Sequence, residues 1–172
     1  MNERDLIFEQ YKLIKEAEEQ PIMKVDAEGN KFWMLPNGEL HREDGPAIEL
    51  TNGGKEWWVN GKRHREDGPA IEHADGNKRW YVNNKLHRVD GPAAELANGD
   101  KLWYVNDKLH REDGPAAEYA DGIKEWFVNS KRYYTPSDWA EAVLKLHNKP
   151  HDQKSIDRFL KPILSKGLND LL

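Results

Sequence analysis

A chain of 172 residues with 26 Lys and Arg against 31 Asp and Glu, a net charge of −5, lacks the basic excess that holds a nucleic-acid backbone. It contains no cysteine, which excludes disulfides and thiolate chemistry. Seven Trp, six Tyr and a mean hydropathy of −0.96 describe a soluble surface over a core with much rigid aromatic area.

The first segment, MNERDLIFEQYKLIKEAEEQ, is charged throughout and has no uninterrupted apolar stretch. It reads neither as a signal peptide nor as a membrane span, which implies a cytoplasmic protein. Leu6, Ile7, Tyr11 and Ile14 form an apolar stripe, and the spacing predicts a helix of about fifteen residues ending before Pro21, within residues 1–20. Residues 1–30 hold 4 basic against 8 acidic side chains, whereas residues 31–131 hold 15 against 18 with alternating signs.

From residue 24 to residue 134 a 23-residue period dominates. Copies of one motif start at Leu40 (LHREDGPA), Arg63 (RHREDGPA), Leu86 (LHRVDGPA) and Leu109 (LHREDGPA). Each is preceded by an aromatic pair, as in WWVNGK from Trp57, WYVNNK from Trp80 and WYVNDK from Trp103. A fading copy, WFVNSKRYYTP, begins at Trp126, and the first copy, near Phe32, carries one extra residue. Two turn signals punctuate each unit. Asn60-Gly61, Asn83-Asn84, Asn106-Asp107 and Asn129-Ser130 tolerate positive φ and fit two-residue hairpins, as do Asp75-Gly76, Asn98-Gly99 and Asp121-Gly122. Short strands are expected between them, one over DGPA-x-E and one over K-x-W-aromatic-V. The predicted fold is therefore mainly β: a twisted antiparallel meander of hairpins, capped by the N-terminal helix and by two or three C-terminal helices.

Strand alternation places Trp57, Trp80, Trp103 and Trp126 on one face with Val59, Val82, Val105 and Val128. That row is the expected core. Trp58, Tyr81, Tyr104 and Phe127 then point to the other face and form a candidate binding row. At the C-terminal end, residues 135–172, Thr135-Pro136-Ser137-Asp138 is a helix start with Trp139, Val143 and Leu146 behind it. A second apolar segment from Ser155 carries Ile156, Phe159, Leu160, Ile163, Leu164, Leu168, Leu171 and Leu172, with a kink or restart expected at Pro162. These helices are expected to cap the array, or to dimerise or dock a partner.

The His, Arg and Asp of the motif read as turn chemistry repeated with the fold. His64, His87 and His110 are placed to bond Asp67, Asp90 and Asp113 three residues on. Gly is expected to supply an unusual backbone angle there, and Pro to fix the start of the strand. Arg65, Arg88 and Arg111 reach toward Glu72, Glu95 and Glu118 and are also a candidate binding row. No phosphate loop, nucleophile elbow or zinc motif occurs, and no catalytic residue, metal or cofactor is expected.

The WWVNGKRH stretch from Trp57 to His64, with its recurring glycines, resembles the MORN repeat; the whole is similar to a divergent, bacteriophage-type form with LHRxDGPA units. Where the usual MORN unit continues His-Gly-x-Gly, this chain has His-Arg-x-Asp-Gly-Pro. The resemblance implies a single-layer hairpin array that binds proteins, with lipid head groups contacted in some members. The expected function is a non-enzymatic protein-binding module, with a host protein as partner and host takeover or anti-defence as its use. A small-ligand binder stacking nucleotides on the aromatic rows is the alternative. Membrane-surface binding is disfavoured by the near-neutral array and acidic start.

Overall fold

The two turns of each repeat are of different kinds, and together they set its geometry. At the first, both central residues take positive φ: 48° and 68° at Asn60-Gly61, 50° and 65° at Asn83-Asn84, and 50° and 64° at Asn106-Asp107. This twist matches that of the flanking strands, and Asn is among the few non-glycine residues that adopt it readily. The second turn is not the expected two-residue hairpin but a three-residue one. The His73 N–H donates to the Asn77 carbonyl at 2.9 Å, the Gly76 N–H to the His73 carbonyl at 3.0 Å, and Gly76 alone is left-handed, at φ 93°. The Asp75 carboxylate accepts the Asn77 N–H at 2.9 Å, which locks the loop. The same bond pattern over Leu35–Glu39 absorbs the extra residue of the first copy.

The computed structural model describes residues 2–18 and 20–169 and separates into two units, residues 1–84 and 85–172. The first unit opens with helix α1 (Glu3–Glu18). Six antiparallel strands follow in meander order: Ile22–Val25, Lys31–Met34, Ile48–Glu49, Lys55–Glu56, Ile71–Glu72 and Lys78–Arg79. The second unit continues the pattern with Ala94–Glu95, Lys101–Leu102, Ala117–Glu118, Lys124–Val128 and Lys131–Tyr133, then α2 (Pro136–Leu146) and α3 (Gln153–Asn169). The register pairs Lys with Glu across neighbouring strands, as in Glu49↔Lys55↔Glu72↔Lys78 and Glu95↔Lys101↔Glu118↔Lys124. Such opposite-charge rows support a sheet face that is open to water.

The expected continuous strand through K-x-W-aromatic-V is broken at its Trp in the inner copies. Trp57 donates its N–H to the Ala70 carbonyl of the main ladder at 2.8 Å, while its carbonyl accepts the His64 N–H of a side hairpin, Trp58–Val59 with Lys62–Arg63, at 3.1 Å. Trp103 divides itself in the same way, between Ala116 at 2.8 Å and His110 at 3.0 Å. Each Trp is thus a corner where the chain leaves one ladder for another. In the outer copies the strand runs unbroken through the Trp, as Lys31–Met34 and Lys124–Val128.

This corner changes the core. The Trp/Val row was expected to be buried, yet Trp57, Trp80 and Trp103 are half-buried, and only Trp126 and Val128 reach the interior. Each repeat instead buries an alanine fully, at Ala47, Ala70, Ala93 and Ala116, and the last of these repeats buries Ala117 as well. The Ala70 and Ala116 carbonyls receive the Trp57 and Trp103 N–H groups, so these buried positions sit beside the corners.

The larger hydrophobic core belongs to the C-terminal helices. Thr135 caps α2 by accepting the Asp138 N–H at 3.1 Å, with Pro136 in the first turn. Trp139, Ala140 and Val143 of α2 and Ile156 and Leu160 of α3 close over Trp126 and Val128. Ring centroids lie 4.7 Å apart for Trp126–Trp139 and 5.7 Å for Trp139–Phe159. Leu146, expected within the α2 stripe, is exposed. α3 continues through Pro162 as one helix, so of the kink or restart expected there the restart does not occur. The side chains of Ile14 and Leu168, and residues Leu171 and Leu172, lie outside the described residues. Among the described residues no helix is long and apolar enough to cross a membrane.

Candidate functional site

The motif Arg is the centre of a clamp built from its own repeat. Arg65 Nε donates to Asp67 at 2.8 Å, and its Nη1 donates to the Pro69 carbonyl and to Glu72, both at 3.2 Å. The guanidinium carbon stands 4.0 Å over the Trp57 ring, within cation–π range. Arg42 repeats this arrangement with Asp44, Pro46, Glu49 and Trp33, and Arg111 repeats it with Asp113, Pro115, Glu118 and Trp103. Arg88 bonds Asp90, the Pro92 carbonyl and Glu95 at 2.9, 3.3 and 3.3 Å. The arginines expected as a binding row are therefore occupied internally. Their planar forks need a carboxylate on one edge and a ring beneath, a combination Lys cannot reproduce.

Two expected roles are corrected here. The motif glycines do not adopt a left-handed backbone; they make room. A Cβ on Gly68 would meet the Arg65 guanidinium at 2.8 Å, and one on Gly114 would meet that of Arg111 at 2.9 Å. The histidines, for their part, turn away from their aspartates. His41, His64, His87 and His110 use Nδ1 to accept the N–H of Asn60, Asn83, Asn106 and Asn129, at 3.1 to 3.3 Å. Each His so steadies the hairpin turn of the following repeat, 19 residues on. The aspartates are free of that task because the arginines hold them. The hydrogen bond from the Arg, and then its positive charge, keeps the carboxyls of Asp44, Asp67 and Asp90 below the ordinary carboxylate range.

The candidate aromatic row is also partly engaged. Trp58 donates its indole N–H to Glu56 at 3.0 Å, and Arg63 lies 4.5 Å over the Trp58 ring and 5.8 Å from that of Tyr81. In the second unit Tyr104 and Phe127 are half-buried.

Slots open on the face of the clamps. In the second unit a groove of about 560 Å³ lies between the loop Arg88–Pro92 and the loop His110–Asp113, with Trp103 and Val105 as its floor. The first unit has a slot of about 500 Å³ where Trp33 meets the loop His41–Asp44. The arginines lie low, with side chains 19–24% exposed, and the aspartates stand up as the rim: Asp90 is 78% and Asp113 81% exposed. Val89, which replaces the Glu of the other copies, is 83% exposed on the same rim. Alternation alone did not find this surface, because the Trp corner is invisible to a period of two. The one sequence signal was the exposed position that varies between Glu and Val. Among the described residues no group of His and carboxylates is placed to hold a metal ion. Comparison with protein-family models and with curated proteins finds no match.

Proposed function

We propose that this chain is a non-enzymatic, MORN-like repeat module that binds a protein partner along the ridge of its LHRxDGPA loops. The observation that carries this reading is the slot between Arg88–Pro92 and His110–Asp113, apolar at its Trp103 and Val105 floor and carboxylate-rimmed. Because each arginine is already neutralised beneath its aspartate, the outward charge is acidic, and the complementary segment carries Lys or Arg beside apolar anchors. A nucleotide phosphate, by contrast, would have to displace Asp and Glu from every guanidinium. The bacteriophage-type resemblance extends the proposal to a host protein as partner.

Capture of partners by the tagged chain, quantified by mass spectrometry, tests the face. Val89→Lys, at an exposed position, is expected to reduce capture of a specific partner at least tenfold. Tyr104→Ala is expected to leave capture intact. The reverse pattern would move the interface to the Tyr81/Tyr104 row, and no effect from either would sink the reading.

A further inference from the structure

A second groove lies at the C-terminal cap; it borders the loop ridge at Glu112 and Asp113, but what is inferred for it does not rest on the reading above. It encloses about 640 Å³, inside the range of small-molecule sites. One wall is a single stripe of α3: Ser155, Arg158, Phe159, Pro162 and Ile163 stand at i, i+3, i+4, i+7 and i+8. Leu144 of α2 and the connection at Lys149-Pro150 form the second wall, and Glu112 and Asp113 of the last motif loop form the third. The apolar part is fixed in place, since Phe159 rests on the fully buried Trp139.

Charge identifies the occupant. On the third wall Glu112 bonds His110 at 3.0 Å and His147 at 2.7 Å, and Asp113, the exposed rim carboxylate, is held from one side by Arg111 at 2.7 Å. The two cations are placed differently. Neither Lys149 nor Arg158 makes an ion pair among the described residues, although both line the groove. An apolar trough with two uncompensated cations at its margin fits a molecule with an apolar body and one anionic head. We infer that this groove binds a small, freely soluble anionic amphiphile, its head on Arg158 and Lys149 and its body along Phe159, Pro162, Ile163 and Leu144.

Calorimetric titration of the full chain with dodecanoate and with dodecanol tests it. Dodecanoate is expected to bind at one site at least tenfold more tightly than dodecanol. The double variant Lys149→Glu/Arg158→Glu should lose at least tenfold in dodecanoate affinity, while Lys62→Glu, an exposed charge reversal in the first unit, should bind as wild type. Thermal unfolding by circular dichroism confirms that each variant is folded, and Ile163→Asp supplies a second disruption of the trough. Equal affinity for the two heads, unchanged binding by the double variant, or no binding at millimolar ligand would each overturn the inference. So would binding to vesicles containing phosphatidylserine without binding to free dodecanoate, since the ligand would then be a membrane surface.

Discussion

Helices stand at both ends of the chain, each with an apolar stripe, and they behave in opposite ways. In α1 the apolar side chains Leu6, Ile7, Phe8 and Tyr11 are 47–66% exposed. In α2 and α3, Trp139, Ala140, Val143, Ile156 and Leu160 are at most 6% exposed and form the main core. Amphipathic spacing is common to both, so spacing is not what decides. The difference is an anchor. Trp139 stands thirteen residues after Trp126, where Ala116 stands relative to Trp103 and Ala70 relative to Trp57. The final unit thus puts a large ring where each earlier unit buries a methyl group, and its indole N–H donates to the Arg111 carbonyl at 3.0 Å. Among its described side chains α1 has no such residue, and the first strand beyond it, Ile22–Val25, also leaves Ile22, Met23 and Val25 about half exposed. An apolar face predicts burial only where the chain also supplies a position for it.

Removing the anchor should have the largest effect. Trp139→Ala deletes a fully buried ring that touches both Trp126 and Phe159, and is expected to cost about 3–5 kcal/mol. Chemical denaturation followed by Trp fluorescence would measure it. Stability within 1 kcal/mol of wild type would mean that α2 and α3 are docked by something other than this ring.

How much of this was readable beforehand follows the same division. Local chemistry was legible: the Asn-x turns with paired positive φ, the Thr135 cap and the short strands all come from residues adjacent in sequence. Contacts between repeats were less so. The His64 bond to the Asn83 N–H spans nineteen residues, whereas the His–Asp bond expected from proximity spans three. The role of Gly68 was misread because glycine's two uses, left-handed backbone and lack of a Cβ, look identical in a sequence. The burial of the Trp row was misread for a related reason, as the Trp corner interrupts the alternation from which faces were assigned.

The clamps allow the two ends to be compared at an equivalent position. Gly114 in the second unit is buried, and its Cβ would stand 2.9 Å from the Arg111 guanidinium; the matching Gly45 in the first unit is half-buried, with Arg42 at 3.0 Å. Arg111 also carries the carbonyl that receives the Trp139 indole, so it has less freedom to yield. Gly114→Ala is expected to destabilise by about 1–3 kcal/mol, and Gly45→Ala by less. In an Arg111→Ala background the Gly114→Ala cost should fall below about 0.5 kcal/mol, because the colliding group is gone. Additive costs would show that this glycine serves some other purpose.

A smaller effect is expected from acid. The carboxyls of Asp44, Asp67 and Asp90 titrate lower in the folded chain than in the unfolded one, so on acidification the unfolded chain takes up protons first. Their contribution is present above the ordinary Asp value near 3.8 and is lost as pH falls below it through the lowered folded values. Melting temperature should therefore decline below about pH 4, and high salt should shrink the decline because these groups face water. Asp67→Asn should flatten the profile, and an unaltered profile would remove the Arg65–Asp67 pair from the account.

The smallest change is expected at α1, where a null result is itself the prediction. Phe8 is 66% and Tyr11 64% exposed, so replacing each by Ser removes little area from contact with protein. Surface changes of this kind stay within about 0.5 kcal/mol. Ile156→Ser in α3, the same apolar-to-polar exchange at a site 6% exposed, is expected to cost several times more through lost burial and an unsatisfied hydroxyl. If Phe8→Ser and Tyr11→Ser instead lower stability by 1 kcal/mol or more, α1 has a packing partner in solution. Repeating the melts over a hundredfold range of protein concentration then separates the two possibilities: a loss that grows with concentration places that partner on a second copy, and a constant loss places it within the same chain.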